Sequence, residues 1–280
     1  MTQSNNPLQQ YFRQPAIYLR LPSQGQHWTT ASIVIPDIGE LPVLPMTAID
    51  EITYRTPDAL FNGQAVVNVI QSCIPNIKDA WECPSSDINS ILTAIRIASY
   101  GHEMEIGTTC PHCEHAAEYG LDLRSVLDQI KSPDYSKTIT HGDLEVAFKP
   151  MAYRDQNKIN SLNFEEQRIL QSLPATEVTP EEKLRLLNEV MKKITELTIE
   201  TIKWSITNIR TPTAIVTQQE HIHEFLCNCD RKVFTTIRDH IVALRTQSEL
   251  TPLNLKCEEC AKEYTQPLTL DMSSFFAAAS

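Results

Sequence analysis

The stretch TTCPHCEHAAEYGLDL, residues Thr108–Leu123, contains two cysteines separated by two residues. Such a pair either performs thiol–disulfide chemistry or supplies half of a metal site. A redox pair needs its first cysteine at a helix N-terminus, where the dipole and free N–H groups lower the thiol pKa. The residues after Cys113 alternate between apolar and polar types and include Gly120, which favours a strand and a turn. The stretch therefore predicts a metal-binding turn between two strands.

A second pair, in LKCEECAKEY, repeats this order of strand, cysteine pair and strand near the end of the sequence. Structural zinc takes four ligands in a tetrahedron, and cysteine thiolates suit it well. The predicted ligands of one Zn²⁺ in a split zinc ribbon are Cys110, Cys113, Cys257 and Cys260. More than a hundred residues separate the pairs, far more than in common zinc fingers. Two alternatives stay open, the same hairpins without a metal and a redox or disulfide role.

Other potential ligands occur in two groups, His112 and His115 beside the first pair, and His221, His223, Cys227 and Cys229 in HIHEFLCNC. The first group could replace a cysteine as ligand, but solvated side chains are expected there. In the second group CxC is not a standard zinc spacing, and two histidines two positions apart point to different sides of a helix. This second group is therefore predicted to be structural.

Composition and charge narrow the class of protein. The sequence has 280 residues, is 41% hydrophobic and carries a formal net charge of -11. Such a charge repels phosphate backbones and anionic lipid, so neither nucleic acid nor membrane is an expected partner. No signal peptide or membrane-spanning segment is recognisable, so the chain is expected to stay where it is made. Its eight cysteines then favour thiols and metal ligands over structural disulfides.

The hydrophobic periodicity predicts an α+β fold that is mainly helical, with small β elements. One helix is expected to be capped by Ser85 or Ser86 and ended by Gly101. The longest helix should begin at Pro180 and continue through Ile209. Its apolar stripe is predicted to comprise Leu184, Leu187, Val190, Met191, Ile194, Leu197 and Ile202.

The chain divides into four predicted regions. They are an N-terminal arm (1–16), an α+β region ending in the first cysteine pair (17–130), a mainly helical region with a hairpin and the long helix (131–250), and the second hairpin with a C-terminal tail (251–280). The tail carries Phe275 and Phe276, which are expected either to anchor a partner or to pack on the chain's own core.

No catalytic constellation is recognisable in the sequence. GxSxG, P-loop, GxGxxG and HExxH motifs are absent, and seven glycines leave little material for phosphate-binding loops. Paired acids such as Glu165 and Glu166 lie on a polar helix face, where solvation is expected. The sequence therefore predicts a protein that is not an enzyme.

An ordered series of segments resembles the T4-like phage baseplate hub proteins of contractile tails. The segments are IYLRLPSQGQHW (17–28), LPVLPMTAIDEITYRTPDALFNGQAVVNVIQSCIP (41–75), DINSILTAIRIASYG (87–101) and TTCPHC (108–113). The resemblance is less specific through FKPMAYRDQNKIN (148–160), CEEC (257–260) and SSFF (273–276). Because each segment alone is short, it is their common order that indicates the family.

This resemblance implies a structural virion protein that docks against other baseplate hub or wedge proteins during tail assembly. It implies synthesis in the bacterial cytoplasm, a final place in the phage tail, and several symmetry-related copies. The four cysteines of the two pairs would then be structural metal ligands. Two rival functions remain: a cytosolic thiol–disulfide oxidoreductase that uses Cys110 of CPHC, and a regulatory zinc-ribbon adaptor, which the acidic charge disfavours for DNA binding.

Overall fold

The computed structural model describes residues 6–54, 63–172 and 179–268, and helices dominate these ranges. The helices are α1 (Ala48–Tyr54), α2 (Gln64–Cys73), α3 (Ser85–Tyr100), α4 (Leu123–Gln129), α5 (Tyr153–Ser172), α6 (Pro180–Trp204), α7 (Gln219–Asn228) and α8 (Arg231–Ser248). The strands are β1 (Ile17–Leu19), β2 (Leu41–Val43), β3 (Glu103–Thr109), β4 (Ala116–Asp122), β5 (Ile139–His141), β6 (Leu144–Phe148), β7 (Ile206–Arg210), β8 (Ile215–Val216), β9 (Leu253–Lys256) and β10 (Glu263–Gln266). The predicted fold class, α+β with mainly helices and small β elements, is confirmed.

The strands of the described part of the chain form four separate antiparallel sheets. β1 pairs with β2, β3 with β4, and β9 with β10. The remaining strands form one sheet in the order β5-β6-β7-β8. Its first hairpin turns at Gly142, whose φ of 59° suits a glycine. Small sheets of this kind depend on packing against helices for their stability.

A first hydrophobic core lies between α2, α3 and the β1–β2 pair. Helix α2 buries Val66, Ile70 and Cys73, and α3 buries Ile91 and Ile95. Cys73 is fully buried, as is common for a free cysteine, which packs like a small apolar side chain. These spacings of three and four residues place one face of each helix in the core.

The ends of α3 are set by the backbone. Pro84 occupies the N-cap position and no side chain bonds the first turn, so the predicted cap by Ser85 or Ser86 is wrong. The N–H of Ser85 instead donates to the carbonyl of Met151 at 2.8 Å, so a distant loop satisfies this helix end. Gly101, with a φ of 88°, follows the last turn and ends the helix as predicted.

A second hydrophobic core joins the four-stranded sheet to α6, α7 and α8. Helix α6 ends at Trp204, so the predicted continuation of the helix through Ile209 is wrong. The segment after it is rich in β-branched residues, which favour a strand, and β7 pairs there with β6. The strand buries Ile206 and Ile209 in the second core.

The apolar stripe predicted on α6 is only partly buried. Val190 and Ile202 lie in the interior, at 3% and 2% exposure. Leu184, Leu187 and Met191 are exposed by 60%, 41% and 53%. The first half of this long helix therefore presents apolar side chains to solvent.

The start of α5 contacts the segment before α3 and packs against the first core. Pro84 and Ala152 form an isolated antiparallel bridge. The rings of Trp81 and Tyr153 stack with centroids 5.7 Å apart. These backbone and aromatic contacts attach the start of α5 to the first core.

The N-terminal arm is attached to the first core by one arginine. The guanidinium of Arg13 donates to the carbonyls of Pro45 at 2.7 Å and Ser72 at 2.8 Å, and it lies 3.2 Å from the carboxylate of Asp50. A guanidinium that meets several acceptors at once fixes the direction of its chain segment. The arm is thus held to its own chain at Arg13, whereas the described residues before it, 6–12, are exposed.

Some expectations lie beyond what the structure tests. Phe275 and Phe276 are outside the described residues. The division at residues 16, 130 and 250 stays a prediction. Among the described helices none combines the length and the apolar character that crossing a bilayer requires.

Candidate metal centre

Both cysteine pairs occupy the turns of β hairpins with the same local geometry. The first turn joins β3 to β4, and the second joins β9 to β10. In the first, the N–H of Glu114 donates to the carbonyl of Cys110 at 2.9 Å; in the second, the N–H of Ala261 donates to that of Cys257 at 3.0 Å. Glu114 and Ala261 also share a left-handed φ, 60° and 58°. The repeated sequence order thus produces two copies of one turn.

This turn geometry carries a cost in both copies. A residue with a Cβ atom in the left-handed region is disfavoured by about 1–2 kcal/mol. Neither Glu114 nor Ala261 is a glycine, yet both adopt that conformation directly after a cysteine pair. The conformation turns the chain sharply enough for the two cysteines of each pair to face the same point.

The four sulfur atoms converge on one point between the two hairpins. The Sγ atoms of Cys113 and Cys257 are 3.6 Å apart, and those of Cys110 and Cys260 are 3.8 Å apart. All four sulfurs lie within 4.8 Å of one another. A Zn–S bond of about 2.3 Å gives a tetrahedral edge of about 3.8 Å. The cluster therefore has the dimensions of a four-thiolate zinc site.

Desolvation and hydrogen bonding give the two thiols of the first pair different pKa values. Desolvation opposes ionisation of Cys110, but N–H groups of His112 and Cys113 donate to its sulfur, and its pKa falls to about 7. The N–H of His115 favours ionisation of Cys113, yet desolvation and the neighbouring thiols outweigh it and raise the pKa to about 12. The thiol of Cys113 therefore stays protonated near neutral pH unless a cation binds beside it.

Contacts outside the sulfurs also join the two hairpins. The hydroxyls of Thr108 and Tyr264 are 2.7 Å apart in a buried hydrogen bond. The hydroxyl of Tyr119 donates to the carbonyl of Lys256 at 3.0 Å. The sequence did not lead us to predict a role for these residues. Their hydroxyl groups lie on the strands that flank the cysteine pairs, and this pattern is visible in the sequence. Together they hold the hairpins in place around the cluster.

The redox interpretation finds little support in this geometry. Cys110 follows strand β3, and strand β4 begins three residues after Cys113. No helix begins at either described cysteine pair, so the helix dipole that activates a redox cysteine is absent there. The thiols lie in turns that resemble metal knuckles.

The other potential ligands lie apart from the cluster or beside it. His112 and His115 are exposed, and His112 contributes a backbone N–H, 3.5 Å from the Cys110 sulfur. Among the described residues, the four cysteines are the one group of three or more side chains close enough to hold a common ion. His221, His223, Cys227 and Cys229 belong to the second core or its surface, around helix α7.

Comparison with known proteins gives one finding. A family model described as "T4 bacteriophage base plate protein" matches residues 46–277, which is most of the chain and includes both cysteine pairs. No curated protein and no solved structure matches.

Proposed function

Because the chain belongs to the T4 bacteriophage base plate protein family, we propose that it mediates subunit docking in a contractile-tail baseplate. The family match over residues 46–277 carries this proposal, since it supports a structural role in the phage tail. The partners are other hub or wedge proteins of the baseplate. Several symmetry-related copies are expected, because such assemblies close by rotational symmetry. The chain is made in the host cytoplasm and acts without catalytic activity.

A structural zinc ion is the second part of the proposal. The ligands are Cys110, Cys113, Cys257 and Cys260, and the separations of their sulfurs support tetrahedral binding. Zinc would neutralise thiolates that otherwise repel one another. The ion would crosslink the first hairpin, in the middle of the sequence, to the second hairpin, near its end.

The crosslink has a clear place in a docking protein. The second hairpin is preceded by Leu250 and followed by Leu268, and both side chains pack against the first core. The cluster holds this hairpin to β3–β4, which continues into α4 of the same core. A rigid subunit loses less conformational entropy on assembly than a loose one. Zinc would thus fix a surface that other baseplate subunits contact.

The exposed apolar face of α6 is compatible with such contacts. Leu184, Leu187 and Met191 are substantially exposed, and apolar surface of this kind is commonly buried in assemblies. This face supports a docking role without identifying the subunit that covers it.

Co-expression with the other baseplate proteins of the same phage tests the docking role. The tagged chain should co-purify with defined neighbours, and Cys113→Ser should weaken that assembly because it breaks the crosslink. His115→Gln, at an exposed position beside the cluster, is the matched control and should assemble normally. A chain that stays monomeric in the presence of every baseplate protein would contradict the proposal.

A further inference from the structure

A histidine and a cysteine, two residue types that can bind metals, lie close together on helix α7, away from the four-cysteine cluster. His223 and Cys227 are four positions apart, so both side chains lie on the same face of the helix. The Nε2 atom of His223 is 3.5 Å from the Sγ atom of Cys227. A zinc ion bound to both atoms at tetrahedral angles requires a separation of about 3.6 Å. The two ligand atoms already have the spacing that one ion needs.

A carboxylate on the neighbouring helix lies next to the imidazole. The Nδ1 atom of His223 is 3.2 Å from Oε1 of Glu200 on α6. Histidines that bind metals commonly donate their second ring N–H to a carboxylate, which fixes the tautomer. The Nδ1 and Oε1 atoms do not meet hydrogen-bond geometry in this structure, and Nδ1 has no other hydrogen-bond partner among the described residues. A proton on Nδ1 would leave the Nε2 lone pair free to face Cys227. Lys203 contacts the same carboxylate at 2.6 Å and holds it in position.

The pair is accessible to a metal ion from solvent. Cys227 is exposed, and the side chain of His223 is 43% exposed. Glu220 and Glu224 are exposed acids on the same helix, and the chain as a whole carries a net charge of -11. The local field therefore attracts cations.

We propose that His223 and Cys227 form a second metal site, for a divalent ion of the zinc class, with Glu200 orienting the histidine. A soft thiolate beside an imidazole favours such ions over magnesium or calcium. Two protein ligands leave other coordination positions open to water. Metal binding displaces the thiol proton of Cys227 to solvent. The site is independent of the proposed docking role and of the four-cysteine cluster.

Protection of Cys227 from alkylation tests this site in the full-length protein. Iodoacetamide labelling is followed on the peptide that contains Cys227, so the other thiols do not contribute to the readout. Added Co²⁺ or Zn²⁺ should slow labelling in a saturable way, and, in protein whose four-cysteine cluster is already filled with zinc, Co²⁺ should produce thiolate charge-transfer absorption that Cys227→Ser removes. Labelling that is unaffected by both ions would overturn the proposal.

Two variants and a control assign the roles of the neighbouring groups. His223→Gln should abolish saturable protection; protection equal to that of the wild type would show that the thiol binds alone and would overturn the two-ligand site. Glu200→Gln should weaken Co²⁺ binding by about 10–100-fold, and an unchanged affinity would remove the carboxylate from the site. His221→Gln is the matched control, because this exposed histidine lies on another side of α7. Far-UV circular dichroism verifies that each variant is folded.

Discussion

The four-cysteine cluster and the His223–Cys227 pair bring ligand atoms together by opposite means. In the cluster, Cys113 contacts a cysteine 144 positions away, so the site exists only when the tertiary structure is formed. In the pair, the ligands are one helical turn apart, so α7 alone supplies the spacing. A metal at the cluster is therefore linked to global folding, whereas a metal at the pair is linked to little more than one helix.

The two sites also differ in their exposure to water. Cys110 and Cys257 are nearly inaccessible, at 1% and 2%, and four ligands would complete the coordination of an ion. Cys227 is exposed, and the pair supplies two ligands. A closed site suits a permanent structural ion and an open site suits an exchangeable one. Each prediction below tests one side of this difference.

The largest expected effect is loss of the cluster. Cys113→Ser and Cys260→Ser should each lower the free energy of unfolding by about 4 kcal/mol or more, because either change removes the shared ion. Urea unfolding followed by circular dichroism measures the loss. Cys227→Ser, at the open site, should change stability by no more than about 0.5 kcal/mol.

The double variant Cys113→Ser/Cys260→Ser sharpens this test. Its loss should be close to that of either single variant, since both residues act through one metal ion. Losses that simply add would show that the distant pairs do not share an ion and would remove the main contrast between the sites.

A smaller effect is expected at the hydrogen bond between the hairpins. Tyr264→Phe and Thr108→Val should each lower the free energy of unfolding by about 1–3 kcal/mol, because each leaves one buried hydroxyl without its partner. Removing both hydroxyls should cost less than the sum of the two losses. A thermodynamic cycle from urea unfolding in the presence of zinc measures this coupling, and strict additivity would argue against it.

A third ligand would make the open pair resemble the cluster. Glu220 lies three positions before His223 on α7, so Glu220→His places a second imidazole on the same face. Affinity for Co²⁺ should rise at least about tenfold, which corresponds to about 1.4 kcal/mol. Titration followed by the cobalt absorption measures the change. The exposed variant Glu224→His, one position after His223, should give no comparable gain.

The smallest predicted difference concerns acidification. Both sites should lose metal as pH falls, because protons compete with the metal for thiolate and imidazole. The pair should release its ion at a higher pH than the cluster, since fewer ligands hold it. Titrating the Co²⁺-loaded protein with acid and following each site by its own absorption change gives the order; simultaneous release would contradict the proposed contrast.

The sequence predicted the class of fold and the cluster because both depend on local patterns. Each CxxC pair lies among alternating residues, and the repeated order of strand, pair and strand indicated that the two belong together. The predicted end of α6 was wrong because pairing of β7 with β6 overrides a helical pattern that appears continuous through Ile209. The exposure of the apolar stripe on α6 could not be predicted either. Periodicity shows which residues share a face of a helix, but not whether another element covers that face.

The His223–Cys227 pair shows a second limit of prediction from sequence, since its surroundings depend on tertiary packing. The four-residue spacing of His223 and Cys227 is present in the sequence, but the spacings considered there were those of His221 with His223 and of Cys227 with Cys229. The contribution of Glu200 could not be predicted, because it depends on how α6 packs against α7. A local ligand spacing can thus be found from sequence, while the group that orients the ligand requires the tertiary structure.

The most direct test of the account is the metal content of the dialysed protein, measured by elemental analysis beside Cys113→Ser and Cys260→Ser. Dialysis removes ions from the open pair and leaves the closed cluster as the source of the signal. We expect one zinc per chain in the wild type and none in either variant. A wild type without metal, or zinc retained at full stoichiometry in one variant, would contradict the claim that the distant cysteine pairs share a structural ion.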